Sequence, residues 1–381
     1  MQLSIVIPAY NEGMAIEQTL RHTLKEKENL RKAGINRTEI IVVNDGSTDS
    51  TEEKIKKFNG KNVRLISHET NKGYGATLKT GFNNSKGELI AFFDADGTYP
   101  INRLSDLCRK LIEENADMVI GSRLDKGTKM PRQRYFGNKF FAFFLSFLSS
   151  SKVIDIASGM RVFKKKLVNQ FNSLPDDLTF TPAMSAEAVH EDWKLLYVPI
   201  SYGRRIGESK LNSFQEGINY IFSILNVVKL YNPLKLFGLI GVLFVLAGLT
   251  LFSPFILHSI PITEFGVRRI FFIITFFLIG VNLIFFGFMA NFMVKLFYEK
   301  LHTAVAYKWA YDRFFLTRYN ILGLIFFFIG LGIIFNSLIF SHWLIPVMGI
   351  LLVLIGVQLV ASSMIVRILK ELYEKRIKIN E

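Results

Sequence analysis

One cysteine in 381 residues, Cys108, excludes an internal disulfide and fits a reducing compartment. It falls in the helical pattern LSDLCRKLIEE and reads as packed core. Histidine is also scarce, with six, and no Cys/His cluster suggests a zinc site. The glycine-rich stretch NKGYGATLKTGF has no GKS or GKT after its second glycine and is not a full GxGxxG. It is therefore neither a P-loop nor a complete dinucleotide fingerprint. No stretch interleaves Lys or Arg with stacking aromatics in a known module. The net charge of +14 thus points to anionic lipid or phosphorylated small molecules rather than nucleic acid. The N-terminus, MQLSIVIPAYNE, lacks the charged start and long apolar run of a signal peptide and reads as a buried strand ended by Pro8.

What is present divides in two. Up to about residue 230 polar and apolar residues alternate as in a soluble domain; after Pro233 Leu, Ile, Phe, Val and Gly dominate. The length suggests two domains, and membrane segments explain the second half better than another soluble core. In the first half strands are expected at Ser4–Ile7, Glu39–Val43, Val63–Ser67, Leu89–Phe93 and Met118–Ile120. Helices are expected from Asn11 to about Ala33, then at Ser50–Phe58, Gly75–Asn84 and Ile101–Glu114. That alternation predicts an α/β, Rossmann-like, mostly parallel sheet covered on both faces, with ligands at the carboxyl ends of its strands.

The polar motifs fall at those ends: PAYNE, NDGSTDST, FFDADGTYP and GSR (121–123). Tyr10, Asn11, Glu12, Asp45, Asp94, Asp96 and Arg123 should then converge on one crevice. Asp45 beside Gly46 can accept hydrogen bonds from a ribose or a base edge, while Ser47, Thr48 or Asp49 can cap the following helix. Gly73 and Gly75 can let backbone N–H groups approach a phosphate or nucleoside. Asp94 and Asp96, one residue apart after an apolar run, supply hard oxygen ligands suited to Mg²⁺ or Mn²⁺, with substrate phosphates completing the shell. Thr98 is a candidate third oxygen. Downstream, Arg132, Arg134, Arg161, Arg204, Arg205 and Lys210 could hold a diphosphate and a second phosphate, or could each be a solvated charge.

Taken together, PAYNE, VVNDGSTD, NKGYGATLKTGF, DADGTYP, GSR, SGMR and RIGESK, over roughly residues 3–212, resemble a family-2 glycosyltransferase of the GT-A fold. The resemblance is to the polyprenyl-phosphate type, which includes the dolichol-phosphate mannose and glucose synthases and has members with four membrane spans. It implies that Pro8, Tyr10, Glu12, Asp45, Lys72, Gly73, Asp94 and Ala95 hold the nucleotide. It implies a divalent ion on Asp94 and Asp96, donor phosphates on Arg205 and Lys210, and an acceptor phosphate near Arg123, Arg132, Arg134 and Ser158. Asp94, Asp96, Arg123 and Arg134 would be the catalytic set. Some relatives carry an acidic residue near position 183, where this chain has Ala183; Glu187 is the neighbouring acid.

The second half predicts an all-α transmembrane domain (233–381) with four helices, spanning about 234–257, 270–294, 320–340 and 343–366. The loop after the second span holds Lys295, Lys300, Lys308, Arg313 and Arg318, and the tail holds Arg367, Lys370, Lys375, Arg376 and Lys378. The positive-inside rule then puts both termini and the middle loop in the cytosol, where nucleotide sugars are. Residues 136–150 and 214–231 are apolar without spanning; each can lie in the bilayer interface or in a core, and the domain bounds become 1–212 for the catalytic domain, 213–232 for an interfacial amphipathic helix and 233–381 for the membrane domain.

The expected reaction moves a hexose from a nucleotide diphosphate, uridine-linked first and guanosine-linked mannose second, to a membrane polyprenyl or dolichyl phosphate, with inversion. The phosphate is already mostly ionised near neutral pH, so no strong base is needed, and no histidine lies in the crevice motifs. A homo-oligomer stays open. The rivals are a processive polysaccharide synthase, whose QxxRW motif is absent, and a transporter or flippase, which the nearly uncharged spans argue against. HEDW (190–193) resembles the synthase base but reads as a surface turn before the strand LLYVPI.

Overall fold

The computed structural model describes residues 1–60, 62–124, 130–149, 152–203, 205–207, 221–222, 225, 232–257, 264–298, 319–337 and 344–380. The chain divides into two compact units, Met1–Val227 and Val228–Glu381. The expected helix at 213–232 lies almost wholly outside the described residues.

The first unit is built on strands β1 (Gln2–Ala9), β2 (Arg37–Asp45), β3 (Val63–His68), β4 (Leu89–Phe92), β5 (Met118–Ser122), β6 (Arg161–Lys164) and β7 (Leu195–Pro199). They form one sheet in the order β3-β2-β1-β4-β6-β5-β7. β1 sits inside it, parallel to β2 and β4, with Ile5 opposite Ile40 and Ala91. Its run SIVIPA is buried from end to end, as a strand covered on both faces must be. The covering helices are α1 (Ile16–Lys25), α2 (Lys27–Lys32), α3 (Thr51–Lys56), α4 (Tyr74–Asn83), α5 (Leu104–Glu113), α6 (Arg132–Ser149) and α7 (Phe180–His190). One face buries Leu3, Ile5 and Ile7 with Leu20 and Leu107. The other buries Val6, Ile41 and Val43 with Phe82, Phe163 and Phe171, the Phe82 and Phe163 rings meeting edge-on at 5.1 Å.

Two features depart from the sequence reading. The helix expected from Asn11 begins only at Ile16 and breaks before Lys27. Asn11 has φ 50, and the N–H groups of Asn11, Glu12 and Gly13 go instead to Ser47 Oγ, Thr51 Oγ1 and Asp49 Oδ2. Side chains of the β2–α3 loop thus satisfy donors that a helix would have used. Secondly, β6 runs antiparallel to both β4 and β5. Its start, not its end, therefore lies at the sheet edge where the other strands finish.

The second unit consists of α8 (Pro233–Leu257), α9 (Glu264–Tyr298), α10 (Tyr319–Ser337) and α11 (Leu344–Asn380). Among the described residues three helices are long and apolar enough to cross a membrane, within Pro233–Ser253, Ile270–Val294 and Met348–Ile365; α10 has a shorter apolar stretch, Asn320–Asn336. α8 packs along α9, and α10 along α11. A Cβ on Gly241 would lie 2.5 Å from the Gly280 carbonyl oxygen, and one on Gly356 would lie 2.6 Å from that of Gly323. Each pair is therefore joined backbone to backbone, as small residues permit in apolar surroundings. The two pairs also repeat one another. LIGVLFVLAGL (239–249) matches ILGLIFFFIGL (321–331), and IGVNL (279–283) matches IGVQL (355–359). Gln358 donates through Nε2 to Asn282 Oδ1, joining the two repeats at equivalent positions.

Candidate active site

Four parallel strands of the first unit, β1, β2, β4 and β5, end at one place. Pro8 and Ala9 end β1 and Tyr10 follows it, Asp45 ends β2, Asp94–Asp96 follow β4, and Arg123 follows β5; all line one cavity of about 610 Å³. The reversed β6 brings Gly159 to the same edge. A Cβ there would lie 2.8 Å from either carboxylate oxygen of Asp94, so glycine is needed beside that group.

Asp94 Oδ1 accepts the Tyr74 hydroxyl at 2.7 Å. Burial, and then the neighbouring Asp96, push the Asp94 carboxyl up to about 7. Asp96 is held differently. Its Oδ1 accepts Thr98 N at 3.1 Å and Thr98 Oγ1 at 2.6 Å, while its Oδ2 lies 3.6 Å from Arg205 Nη1. The hydroxyl of Thr98 is thus engaged by Asp96, and Thr98 does not line the cavity. Arg205 also donates through Nη2 to Glu12 Oε1, so one guanidinium joins two acids across the cavity wall. Among the described residues no group of three or more His, Cys, Asp or Glu could hold a metal. Two carboxylates whose close approach raises a pKa still form an anionic pair that a hard cation would relieve, with phosphate and water as its further ligands.

Asp45 is engaged by the protein. Its Oδ1 accepts Lys72 N at 2.9 Å and meets His68 Nδ1 at 2.7 Å, and its Oδ2 accepts Gly73 N at 2.9 Å. His68 Nε2 lies 3.0 Å from Thr80 Oγ1. Nothing in the motifs marks His68; it sits opposite Asp45 in the β2–β3 register, so strand pairing alone reveals it. The glycines of NKGYG also serve the protein's own packing. A Cβ on Gly73 would lie 2.5 Å from the Asp176 carbonyl oxygen, and one on Gly75 2.2 Å from that of Pro175. They admit the chain's own 175–176 backbone, whose Asp176 carbonyl accepts Ala76 N at 3.1 Å. The Lys72 side chain is exposed and does not line the cavity, whereas Gly73 and Ala95 do.

Arg123 is clamped. Its Nε and Nη2 donate to Asp155 Oδ2 and Oδ1 at 3.0 and 2.8 Å, its Nη1 to Tyr99 Oη at 3.3 Å, and it stacks over the Tyr202 ring. Burial works against both charges, but the pairing outweighs it: the Asp155 carboxyl lies below its ordinary range and the Arg123 guanidinium above. Arg134 is half-buried and lines the cavity, while Arg132 is exposed and does not. Ser158 is fully buried with its hydroxyl donating to the Gly121 carbonyl at 2.6 Å, so it is turned from the crevice. Arg161 is also fully buried. It donates to the carbonyls of Ser158, Ile156 and Thr181, and burial lowers its pKa to about 10; it pins three segments rather than meeting a phosphate. Ala183 is in the core, and Glu187 is not a lining residue. HEDW begins with the last residue of α7 and continues as the turn after it, with Asp192 at φ 53. Arg204 and Lys210 lie outside the described residues.

α6 has two faces. Arg134, Gly137, Asn138 and Phe141, at helical spacing, line the cavity. Phe136, Phe140, Phe143 and Phe147 form an outer stripe, 66%, 56%, 68% and 43% exposed.

These features can be set beside known proteins. The family model for glycosyl transferase family 2 matches residues 4–171, and a second, described as a domain of unknown function, matches residues 233–380. The chain is 32% identical over 248 residues to the low-salt glycan biosynthesis hexosyltransferase of Haloferax volcanii, covering 63% of this chain and 58% of that protein. It is 32% identical over 231 residues to a dolichyl-phosphate hexose transferase of the same organism, covering 59% of this chain and 93% of the relative. Among solved structures, glucosyl-3-phosphoglycerate synthase from Mycobacterium tuberculosis with Mn²⁺, UDP and its product is similar at TM-score 0.46 and 19% identity, over 60% of this chain and 80% of that one. The family-2 match runs from β1 through β6, and a relative is matched over nearly its whole length: the chain belongs to glycosyl transferase family 2.

Proposed function

We propose that the cavity transfers one hexose from a nucleotide diphosphate to a membrane polyprenyl phosphate, with UDP-hexose the favoured donor and GDP-mannose the second. The observation that supports this most is that Asp94 and Asp96 line one cavity together with Glu12, Asp45, Arg123, Arg134 and Arg205. Names of relatives point the same way, since two act on dolichyl phosphate and others on undecaprenyl phosphate.

A Mg²⁺ or Mn²⁺ held by Asp94 and Asp96 would supply charge neutralisation for the departing nucleotide. The chain does the rest. Tyr74 orients Asp94, and Thr98 orients Asp96. Arg205, already between Glu12 and Asp96, is within reach of a diphosphate there and would offset its charge. Arg134, with the clamped Arg123 lining the same cavity, would draw a phosphate headgroup without removing a proton. Attack on the face opposite the diphosphate would invert the anomeric carbon.

The acceptor is a lipid, and the chain has two features suited to one. The outer phenylalanines of α6 would enter the bilayer interface, bringing Arg134 on the inner face to headgroup depth. The four helices of the second unit would all span, with both termini cytosolic by the distribution of Lys and Arg. Incubating the purified protein with one polyprenyl phosphate and a panel of radiolabelled nucleotide hexoses should move label into organic extract as a single-sugar lipid. Long polymer would favour a processive synthase, and no transfer from any donor would reject the proposal.

A further inference from the structure

Asn138 lies on the α6 face that lines the cavity and is 7% exposed. Its Nδ2 donates to Asp155 Oδ1 at 2.8 Å. Asp155 is kept ionised by the Arg123 pair, so it can only accept, and that decides which end of the amide faces it. The other end, Oδ1, is buried with no hydrogen-bond partner. The amide is not free to turn and repair this. Asp155 is itself fixed by the Arg123 side chain, by Arg123 N at 2.9 Å and by Ala157 N at 3.3 Å, and rotation would set two oxygens against each other.

A buried carbonyl oxygen without a donor is unfavourable, and beside a cavity a water or a ligand completes it. Its partner must bring an O–H or N–H. A dianionic phosphate has no donor to give, nor does an ionised diphosphate. The hydroxyls of a hexose are the donors a nucleotide sugar carries to this part of the cavity. We infer that Asn138 Oδ1 accepts a hydrogen bond from one hydroxyl of the transferred hexose and so helps decide which sugar is used. This rests on the cavity taking a nucleotide hexose. Asn138 then acts on the sugar, while Arg123, behind the same Asp155, acts on charge.

The test uses the full chain in detergent. Transfer is measured from UDP-glucose, from GDP-mannose, and from the 2-, 3-, 4- and 6-deoxy forms of whichever sugar is transferred. Wild type should lose roughly 10- to 100-fold in kcat/KM for a single deoxy position. Asn138→Ala should lose a similar factor with the intact sugar and show no further loss at that position, with the acceptor KM within about twofold of wild type. Asn138→Ser, whose hydroxyl can still donate to Asp155, stands in if the alanine variant does not fold, with the same pattern expected. An unchanged deoxy ranking in either variant, or a wild type indifferent to every deoxy sugar, overturns the inference while transfer itself stands. No transfer from either sugar nucleotide overturns it together with the reading of the cavity on which it rests.

Discussion

Tyr74 donates its hydroxyl to Asp94 Oδ1 at 2.7 Å, tying the glycine-flanked start of α4 to the acid that follows β4. That bond favours the ionised carboxyl, against burial and Asp96, which together raise Asp94 to about 7.

The sign of the consequence is definite. Between the ordinary value of 3.8 and about 7 the folded protein holds a proton that the unfolded chain has released. Without metal, stability should therefore fall as pH rises through that window and level off above it. Asp94→Asn removes the effect: its thermal midpoint should exceed that of wild type at pH 8 and approach it near pH 4, measured by scanning calorimetry without divalent ions. A variant no more stable than wild type at pH 8 would count against the buried, acid-coupled environment.

Tyr74→Phe removes the donor. The concentration of Mn²⁺ giving half-maximal transfer at pH 7 should rise several-fold and recover by pH 8.5, where Asp94 ionises without help. A metal requirement identical to wild type at both pH values would show that Tyr74 does not tune Asp94.

Arg134→Ala should raise the KM for polyprenyl phosphate by roughly tenfold, the value of one charge-assisted hydrogen bond, with the donor KM nearly unchanged. Equal effects on both would remove Arg134 from the acceptor end.

Asn282 and Gln358 join the two helix pairs at matching positions of a repeat. Replacing either with Leu should cost about 0.6 kcal/mol, and replacing both little more than one, because one hydrogen bond is lost in each case. Additive losses, read as unfolding midpoints in detergent, would show that the two amides act apart.

Much of the site was legible because it is built at strand ends. An apolar strand that stops at DAD or ND must leave those groups at the sheet edge, so Asp45, Asp94 and Asp96 are brought together as the strand pattern requires. What escaped depends on partners distant in sequence. Arg161 reads as a surface cation until three carbonyls enclose it. His68 meets Asp45 only through strand register, and β6 is too short, at four residues, to betray its reversed direction. Gly73 and Gly75 were correctly marked as places of close approach, but the sequence does not say that Pro175 and Asp176 fill them. The repeated helix pairs were hidden in plain apolar composition, where matching glycines become informative once Gly241 meets Gly280 and Gly323 meets Gly356.

The most direct test of the central idea is Mn²⁺ binding, followed by electron paramagnetic resonance, to the purified protein with saturating UDP and then GDP. Wild type should take up one ion per chain when the matching nucleotide is present, and Asp94→Asn and Asp96→Asn, each still folded, should take up none. Undiminished uptake in both variants would contradict the assignment of these two carboxylates as the cation site.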